Sequence, residues 1–160
     1  MRRLCIVGVG LIGGSIGLAV KARGLPYHVV GVESNAQTWG DALRLGAVDE
    51  ITNDLAAGVK GADLVILAVP VGAILELLPK LAPLVGENTV VTDTGSVKTA
   101  IAEAGFAHLG DRFVPGHPMA GSEKGGVLAA RADLFVGATW AITPRIRKVG
   151  TFAAFIRSLG

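Results

Sequence analysis

Along this chain, short continuous apolar runs alternate with longer stretches in which apolar residues recur at helical spacing. Residues 4–9 form the first run, and residues 11–23 follow with small and apolar side chains every three or four positions, predicting strand, turn and helix. Residues 28–33 predict a second strand, 36–45 a second helix closed by Gly46, and 48–52 a short third strand. Residues 63–69 are apolar almost throughout, as expected of a strand buried on both faces, and 71–84 predict the helix that covers it. Residues 89–93, 97–109 and 112–115 repeat strand, helix and strand. A glycine-rich loop follows, then a helix over 127–134, an extended segment over 139–143 and a last helix over 146–159. Alternation of this kind, without repeat or linker, predicts one domain over 1–160 with a doubly wound, mainly parallel α/β sheet.

Composition narrows the kind of core. Hydrophobic residues make up 51% of the chain but aromatics only 5%, and there are 23 glycines, so Val, Leu, Ile and Ala must pack around tight backbone turns. The net charge is +2, and the 15 basic residues are dispersed instead of forming a tract, which leaves no electrostatic footprint for nucleic acid. Cys5 is the single cysteine and lies in an apolar run, so no internal disulfide can form and a buried, inert thiol is expected. No metal is expected.

Two stretches imitate membrane signals. Arg2 and Arg3 before the apolar residues 4–19 have the outline of a signal peptide, but Gly8, Gly10, Gly13, Gly14 and Gly17 fit a strand-turn-helix instead. Residues 64–85 carry only Glu76 and Lys80 as charges, yet Pro70, Pro79 and Pro83 divide them into a strand and a short helix. The expectation is a soluble, cytoplasmic protein that engages no membrane.

Gly8-Val9-Gly10-Leu11-Ile12-Gly13 matches the dinucleotide fingerprint between a strand and a helix. Gly8 would permit the tight turn, Gly10 would let the backbone approach a pyrophosphate, and Gly13 would let the helix pack on the strand. The helix N-terminus would then present free N–H groups to the phosphates. Glu33, at the end of the second strand, is placed to accept hydrogen bonds from an adenosine ribose. Its charge would repel a 2′-phosphate and no arginine follows it, so NAD is favoured over NADP. Val69, Pro70 and Thr94, just beyond later strands, complete the candidate cofactor-contacting set.

Asp93-Thr94-Gly95-Ser96-Val97-Lys98 joins a strand to a helix, at the strand end where such sheets gather ligands. Ser96 either caps the helix or offers a hydroxyl to chemistry, and Lys98 either faces a carboxylate or lies on the surface. His117 sits between glycine and proline in the loop Gly116-His117-Pro118-Met119-Ala120-Gly121-Ser122-Glu123-Lys124-Gly125-Gly126. A neutral imidazole there can take the proton of an alcohol as hydride leaves its carbon, or it can simply brace the loop. His28 and His108 have no comparable context and are assigned no function.

Taken together, the fingerprint with Gly14-Ser15, the Asp93–Lys98 motif and the Gly116–Glu123 motif resemble the prephenate and arogenate dehydrogenase family. The resemblance spans essentially all 160 residues, including Leu134-Phe135 and the region from Trp140 to Pro144. It implies a Rossmann-type cofactor domain and NAD-dependent oxidation of the ring alcohol of prephenate or arogenate, with loss of carbon dioxide, in tyrosine biosynthesis. The family's catalytic histidine falls on His117 and its serine beside the substrate hydroxyl on Ser96. Glu123 falls on an acidic position near the active-site mouth, and Lys98 matches the motif on the substrate side without a catalytic assignment.

The family also has a helical C-terminal domain that forms a homodimer and supplies cations for the substrate carboxylates. The chain stops at Gly160, just after the last predicted helix, and its own Lys124, Arg131, Arg145 and Arg147 need not converge on one pocket. A truncated cofactor domain, inactive alone, is therefore expected. Two other functions fit the same residues: a non-catalytic dinucleotide-binding module, and a dehydrogenase of another small hydroxy acid.

Overall fold

The computed structural model describes residues 1–143 and 148–160. Its centre is β1 (Arg2–Val7), which pairs in parallel with β2 (Tyr27–Val32) on one side and β4 (Leu64–Leu67) on the other. With β3 (Glu50–Thr52), β5 (Val90–Asp93) and β6 (Phe113–Val114) the order is β3-β2-β1-β4-β5-β6, and every pairing in this sheet is parallel. Chain direction across the sheet reverses between β1 and β4, the switch point where doubly wound folds open a crevice for ligands.

Apolar side chains of β1 divide between two layers, which is why its run shows no alternation of polarity. Leu4 and Ile6 pack with α1 (Leu11–Ala22) and α6 (Val149–Ser158), whereas Cys5 and Val7 pack with α4 (Val71–Leu81) and α5 (Lys98–Leu109). Each layer has its own buried cluster, one anchored by Ile16 and Phe152, the other by Leu78 and Phe113. Phe113 fits against α5 because Gly105 lacks a side chain: a Cβ there would lie 2.0 Å from the ring. Pro70 begins α4 as its N-cap, and Pro79 lies inside that helix.

Strand register sets the geometry of the upper rim. Val32, Val7, Leu67 and Asp93 lie level across β2, β1, β4 and β5, and Thr92 is level with Val114 of β6. The next residues, Glu33, Gly8, Ala68, Thr94 and Gly116, therefore form one row. With neighbouring strands about 4.8 Å apart, the row is about 20 Å long.

Three expectations differ from the structure. Residues 127–134 form a single 3-10 turn, Val127–Ala129, instead of a helix. The hydroxyl of Ser15 in α1 accepts the Arg131 N–H at 2.9 Å, and the Val127 carbonyl that a helix would offer it is taken by the Ala130 N–H. His117 lies in a short strand, β7 (Gly116–Pro118), paired antiparallel with β8 (Trp140–Ile142), and not in an open loop. A short helix, α3 (Leu55–Val59), stands where none was predicted; Asp54 caps it by accepting the N–H groups of Ala56 and Ala57. Pro144, Arg145, Arg147 and Ile146, the expected start of the last helix, lie outside the described residues.

No helix among the described residues is long and apolar enough to cross a membrane. Cys5 is fully buried, and burial pushes its thiol up to about 12.

Candidate active site

The glycine turn between β1 and α1 is held by backbone contacts too close for a side chain. Gly8 has φ +90°, its N–H donates to Val32 O at 2.8 Å, and a Cβ on it would lie 2.5 Å from Ala68 O and 2.6 Å from Val69 Cγ1. Gly13 faces back onto the same turn, where a Cβ would lie 2.0 Å from Gly8 O. Beside Gly10, by contrast, nothing lies within 4 Å of the position a Cβ would take. Two glycines close the turn and the one between them leaves its outer side open, with the half-buried Leu11 and Ile12 starting the helix beyond. No acidic residue stands in the first turn of α1, so no side chain of that turn offsets the partial positive charge of its N-terminal N–H groups.

Glu33 locks the turn from the side. Its Oε2 accepts the Val9 N–H at 3.1 Å and its Oε1 accepts the Asn35 N–H at 2.9 Å, so the carboxylate bridges the ends of β1 and β2. Gly8, Glu33, Ser34 and Val69 line a cleft of about 280 Å³ together with the apolar Leu55 and Leu77 of neighbouring helices. Glu76 and Lys80 stand at the same cleft. The exposed Pro70 lies at the start of α4, next to Val69.

The other end of the rim is built from charges. Asp93, the last residue of β5, is 0% exposed; its Oδ2 accepts the Gly95 N–H at 2.9 Å and pairs with Lys98 Nζ, while its Oδ1 accepts the Gly116 N–H at 3.2 Å. Lys98 Nζ also donates to Gly116 O at 2.6 Å. Burial pushes the Asp93 carboxyl above the usual carboxylate range, against the Lys98 ammonium and the two N–H donors; burial likewise lowers Lys98. Lys98 is thus committed to a carboxylate of its own chain.

His117 is half-buried, and its Nδ1 lies 3.1 Å from Thr94 O. A carbonyl can only accept, so in the neutral ring the proton sits on Nδ1 and the lone pair on Nε2. Thr94 is fixed in turn, its N–H donating to Leu67 O at 3.1 Å. Ser96 is exposed and does not cap α5: Val97 occupies the N-cap position, and no side chain caps the helix. Its hydroxyl is left exposed in the turn between Asp93 and the start of α5. Glu123 is exposed in the segment that follows β7, as are its neighbours Ser122 and Lys124.

Comparison with known proteins gives the same domain. A match to the family described as "Prephenate dehydrogenase, nucleotide-binding domain" runs over residues 16–156. The chain belongs to the prephenate dehydrogenase nucleotide-binding domain family. Prephenate dehydrogenase of Bacillus subtilis is 39% identical over 144 residues, covering 88% of this chain and 39% of that protein. The crystal structure of prephenate dehydrogenase from Aquifex aeolicus, in complex with hydroxyphenyl propionate and NAD+, superposes with a TM-score of 0.93 at 32% identity. It covers all of this chain and 58% of that one. Arogenate dehydrogenase of Synechocystis gives 0.87 at 35% identity, over 99% of this chain and 55% of that one. The chain spans about half the length of the curated relatives it matches, 39% to 53% for the first three.

Within this nucleotide-binding domain the residue that the sequence alone does not single out is Asp93. It reads as an ordinary polar strand end, and only the fold places its carboxylate against Gly116, 23 residues on. Ser15, which the sequence marks only as part of the glycine motif, latches the segment after β7 onto α1. A buried-strand pattern that ends in an acidic residue, as 89–93 does, is the signal that could have singled out Asp93.

Proposed function

We propose that this domain is the cofactor-binding, catalytic-histidine half of an NAD-dependent dehydrogenase. It oxidises the ring alcohol of prephenate or arogenate with loss of carbon dioxide, a step of tyrosine biosynthesis. The observation that carries this reading is the Nδ1–H bond from His117 to Thr94 O, which leaves Nε2 free to take a proton at the rim of the sheet. The names of the B. subtilis and Synechocystis relatives support the substrate class, and the NAD+ bound to the A. aeolicus enzyme supports the cofactor.

The residues present fit a dinucleotide. Gly8, Gly10, Leu11, Ile12 and Gly13 present the open backbone and helix N-terminus to the pyrophosphate. Glu33, already oriented by two N–H donors, keeps lone pairs for ribose hydroxyls and places negative charge where NADP would carry a phosphate. Val69, Pro70 and Thr94 would contact the cofactor between the glycine turn and His117. NAD, when bound, accepts the hydride. As the C–H electron pair leaves the alcohol carbon, His117 Nε2 takes the hydroxyl proton; the bond to the ring carboxylate then breaks, carbon dioxide leaves, and its electron pair completes the aromatic ring. Ser96 donates to the same hydroxyl oxygen and orients it. Glu123 stands at the mouth of the site, and Lys98 serves the substrate side indirectly, through its hold on Gly116. The complete enzyme works as a cytoplasmic homodimer, its helical domain supplying cations for the substrate carboxylates.

The test is turnover of prephenate and arogenate by the full natural chain, beside NAD titration by calorimetry. His117→Asn should lower kcat by about 10²- to 10⁴-fold while NAD affinity stays near wild type. An equally active variant would remove His117 from the chemistry. NAD binding without turnover of either substrate would leave a nucleotide-binding module, and turnover of a different hydroxy acid would reassign the substrate.

A further inference from the structure

We propose that the Asp93–Lys98 pair, its carboxylate fully buried and its ammonium half-buried, is a positioning device that holds His117 in the tautomer and place its role as base requires. The proposal rests on the reading of His117 as the group that takes the hydroxyl proton. Neither residue touches substrate in this scheme; both act through the backbone on either side of the histidine.

Two tethers hold His117, one from Asp93 with Lys98 and one from the adjacent Thr94. The peptide group before it begins at Gly116, whose N–H donates to Asp93 Oδ1 at 3.2 Å and whose carbonyl accepts from Lys98 Nζ at 2.6 Å. Its ring is held by the carbonyl of Thr94, the residue that follows Asp93. The pair therefore joins the turn that leaves β5 to the strand that carries the histidine, although 23 residues separate them. On the far side the β7–β8 pairing sets His117 opposite Ala141.

Little slack remains at the junction. A Cβ on Gly116 would lie 3.0 Å from Thr92 Oγ1, 3.0 Å from Trp140 Nε1 and 3.1 Å from Asp93 O. A shift of this backbone is therefore passed to His117 instead of being absorbed. Burying the Asp93 carboxylate is also costly for stability, since an apolar residue of similar volume often serves as well or better at such a position. Asp93 is fully buried, and Lys98 spends its donors on Asp93 and on the one carbonyl that precedes the histidine. That expenditure is explained by geometry required at His117.

The experiment uses the full natural chain with 15N-labelled histidine. Wild type should show a neutral His117 protonated on Nδ1. The double substitution Asp93→Asn/Lys98→Met removes both charges together and so leaves no unpaired buried ion. It should lower kcat by about 100-fold, the scale of an ångström misplacement of a reacting group. KM for NAD should stay within about twofold, because the glycine turn is untouched, and the His117 signal should become a mixture of Nδ1–H and Nε2–H forms. Wild-type kcat and an unchanged tautomer in the double variant would overturn the proposal, and so would a loss of kcat with the tautomer unchanged. Should that variant not fold, the wild-type spectrum alone decides: an Nε2–H ring overturns the proposal. His117→Asn is measured in parallel. Full turnover there would defeat the base assignment, while the imidazole spectrum would still judge the brace on its own.

Discussion

At the β1–α1 end of the rim the ligand-facing backbone is held by main-chain contact. At the β5–β7 end it is held by an ion pair whose carboxylate is buried. Gly8 and Gly13 touch each other and Ala68 so closely that a single methyl group has nowhere to go. Glu33, the charged side chain that bonds this turn, is half-buried and bonds only to backbone N–H groups. Around Gly116, which precedes His117, the constraints are mostly side-chain atoms: the Asp93 carboxylate, the Lys98 ammonium, the Thr92 hydroxyl and the Trp140 indole. The difference teaches where each end is vulnerable. A turn packed through Gly8 and Gly13 fails when an atom is added at either, whereas a histidine held through an ion pair fails when that pair is removed.

Gly13→Ala should have the largest effect. Its Cβ would meet Gly8 O at 2.0 Å and Ile6 Cγ2 at 2.8 Å, and Gly8 cannot retreat because its N–H is bonded to Val32 O at 2.8 Å. Urea unfolding should register a loss of about 3 kcal/mol or more, with NAD binding abolished in calorimetry. Wild-type stability in this variant would show that the turn is softer than its contacts indicate and would erase the contrast between the two ends.

Gly116→Ala sharpens the same contrast from the other side. Its nearest neighbours, at 3.0 Å, are side-chain atoms that can give by a few tenths of an ångström, so the stability cost should be about 1 kcal/mol. Turnover should fall while NAD affinity holds, because the shift reaches His117 and stops short of the glycine turn. A parallel loss of NAD affinity would mean that the two ends are mechanically one.

The two ends were also unequally legible before the fold was known. The fingerprint lies within six residues between two strongly patterned elements, so Gly8, Gly10, Gly13 and Glu33 could be named with a reason for each; Gly8 sits in a tight turn at φ +90° and Gly13 packs against Gly8 O and Ile6. Ser96, Lys98 and His117 could be named by type, but not how they are held. The Asp93–Lys98 pairing crosses from a strand end to a helix start, where no periodicity marks it. The strand character of Gly116–Pro118 depends on Trp140–Ile142, and a glycine-histidine-proline triplet has no strand signal of its own. The failed helix over 127–134 has the same physical cause: its apolar spacing is real, but Ser15 is 116 residues upstream and takes the Arg131 N–H. The missed helix Leu55–Val59 is a different case, since Asp54 is an N-cap signal visible in the sequence.

The smallest expected effect concerns a second aspartate at the opposite, amino-terminal edge of the sheet, where charge acts with the contrary sign. Asp49 accepts the Val29 N–H at 2.7 Å and pairs with Lys21 at 2.5 Å, with His28 3.6 Å away. Partial burial pushes its carboxyl up, but Lys21, the Val29 N–H and His28 together outweigh that and hold it below the usual range. A folded pKa below the unfolded value, near 3.9, means that the stabilisation is present above that value and is lost as pH falls through the folded one. The Asp49 side chain is 32% exposed, so Asn in its place should cost only about 0.5 kcal/mol at pH 7 and low salt. Urea midpoints at pH 7 and pH 3 should converge between variant and wild type, while kcat and NAD affinity at pH 7 stay unchanged. Asp93 is displaced upward instead, so its ionisation opposes folding above the unfolded value and its protonation in acid favours the folded state. If Asp49→Asn lost turnover as well as stability, charge at the foot of the sheet would be coupled to its rim. The division between charges that stabilise the fold and charges that place His117 would then fail.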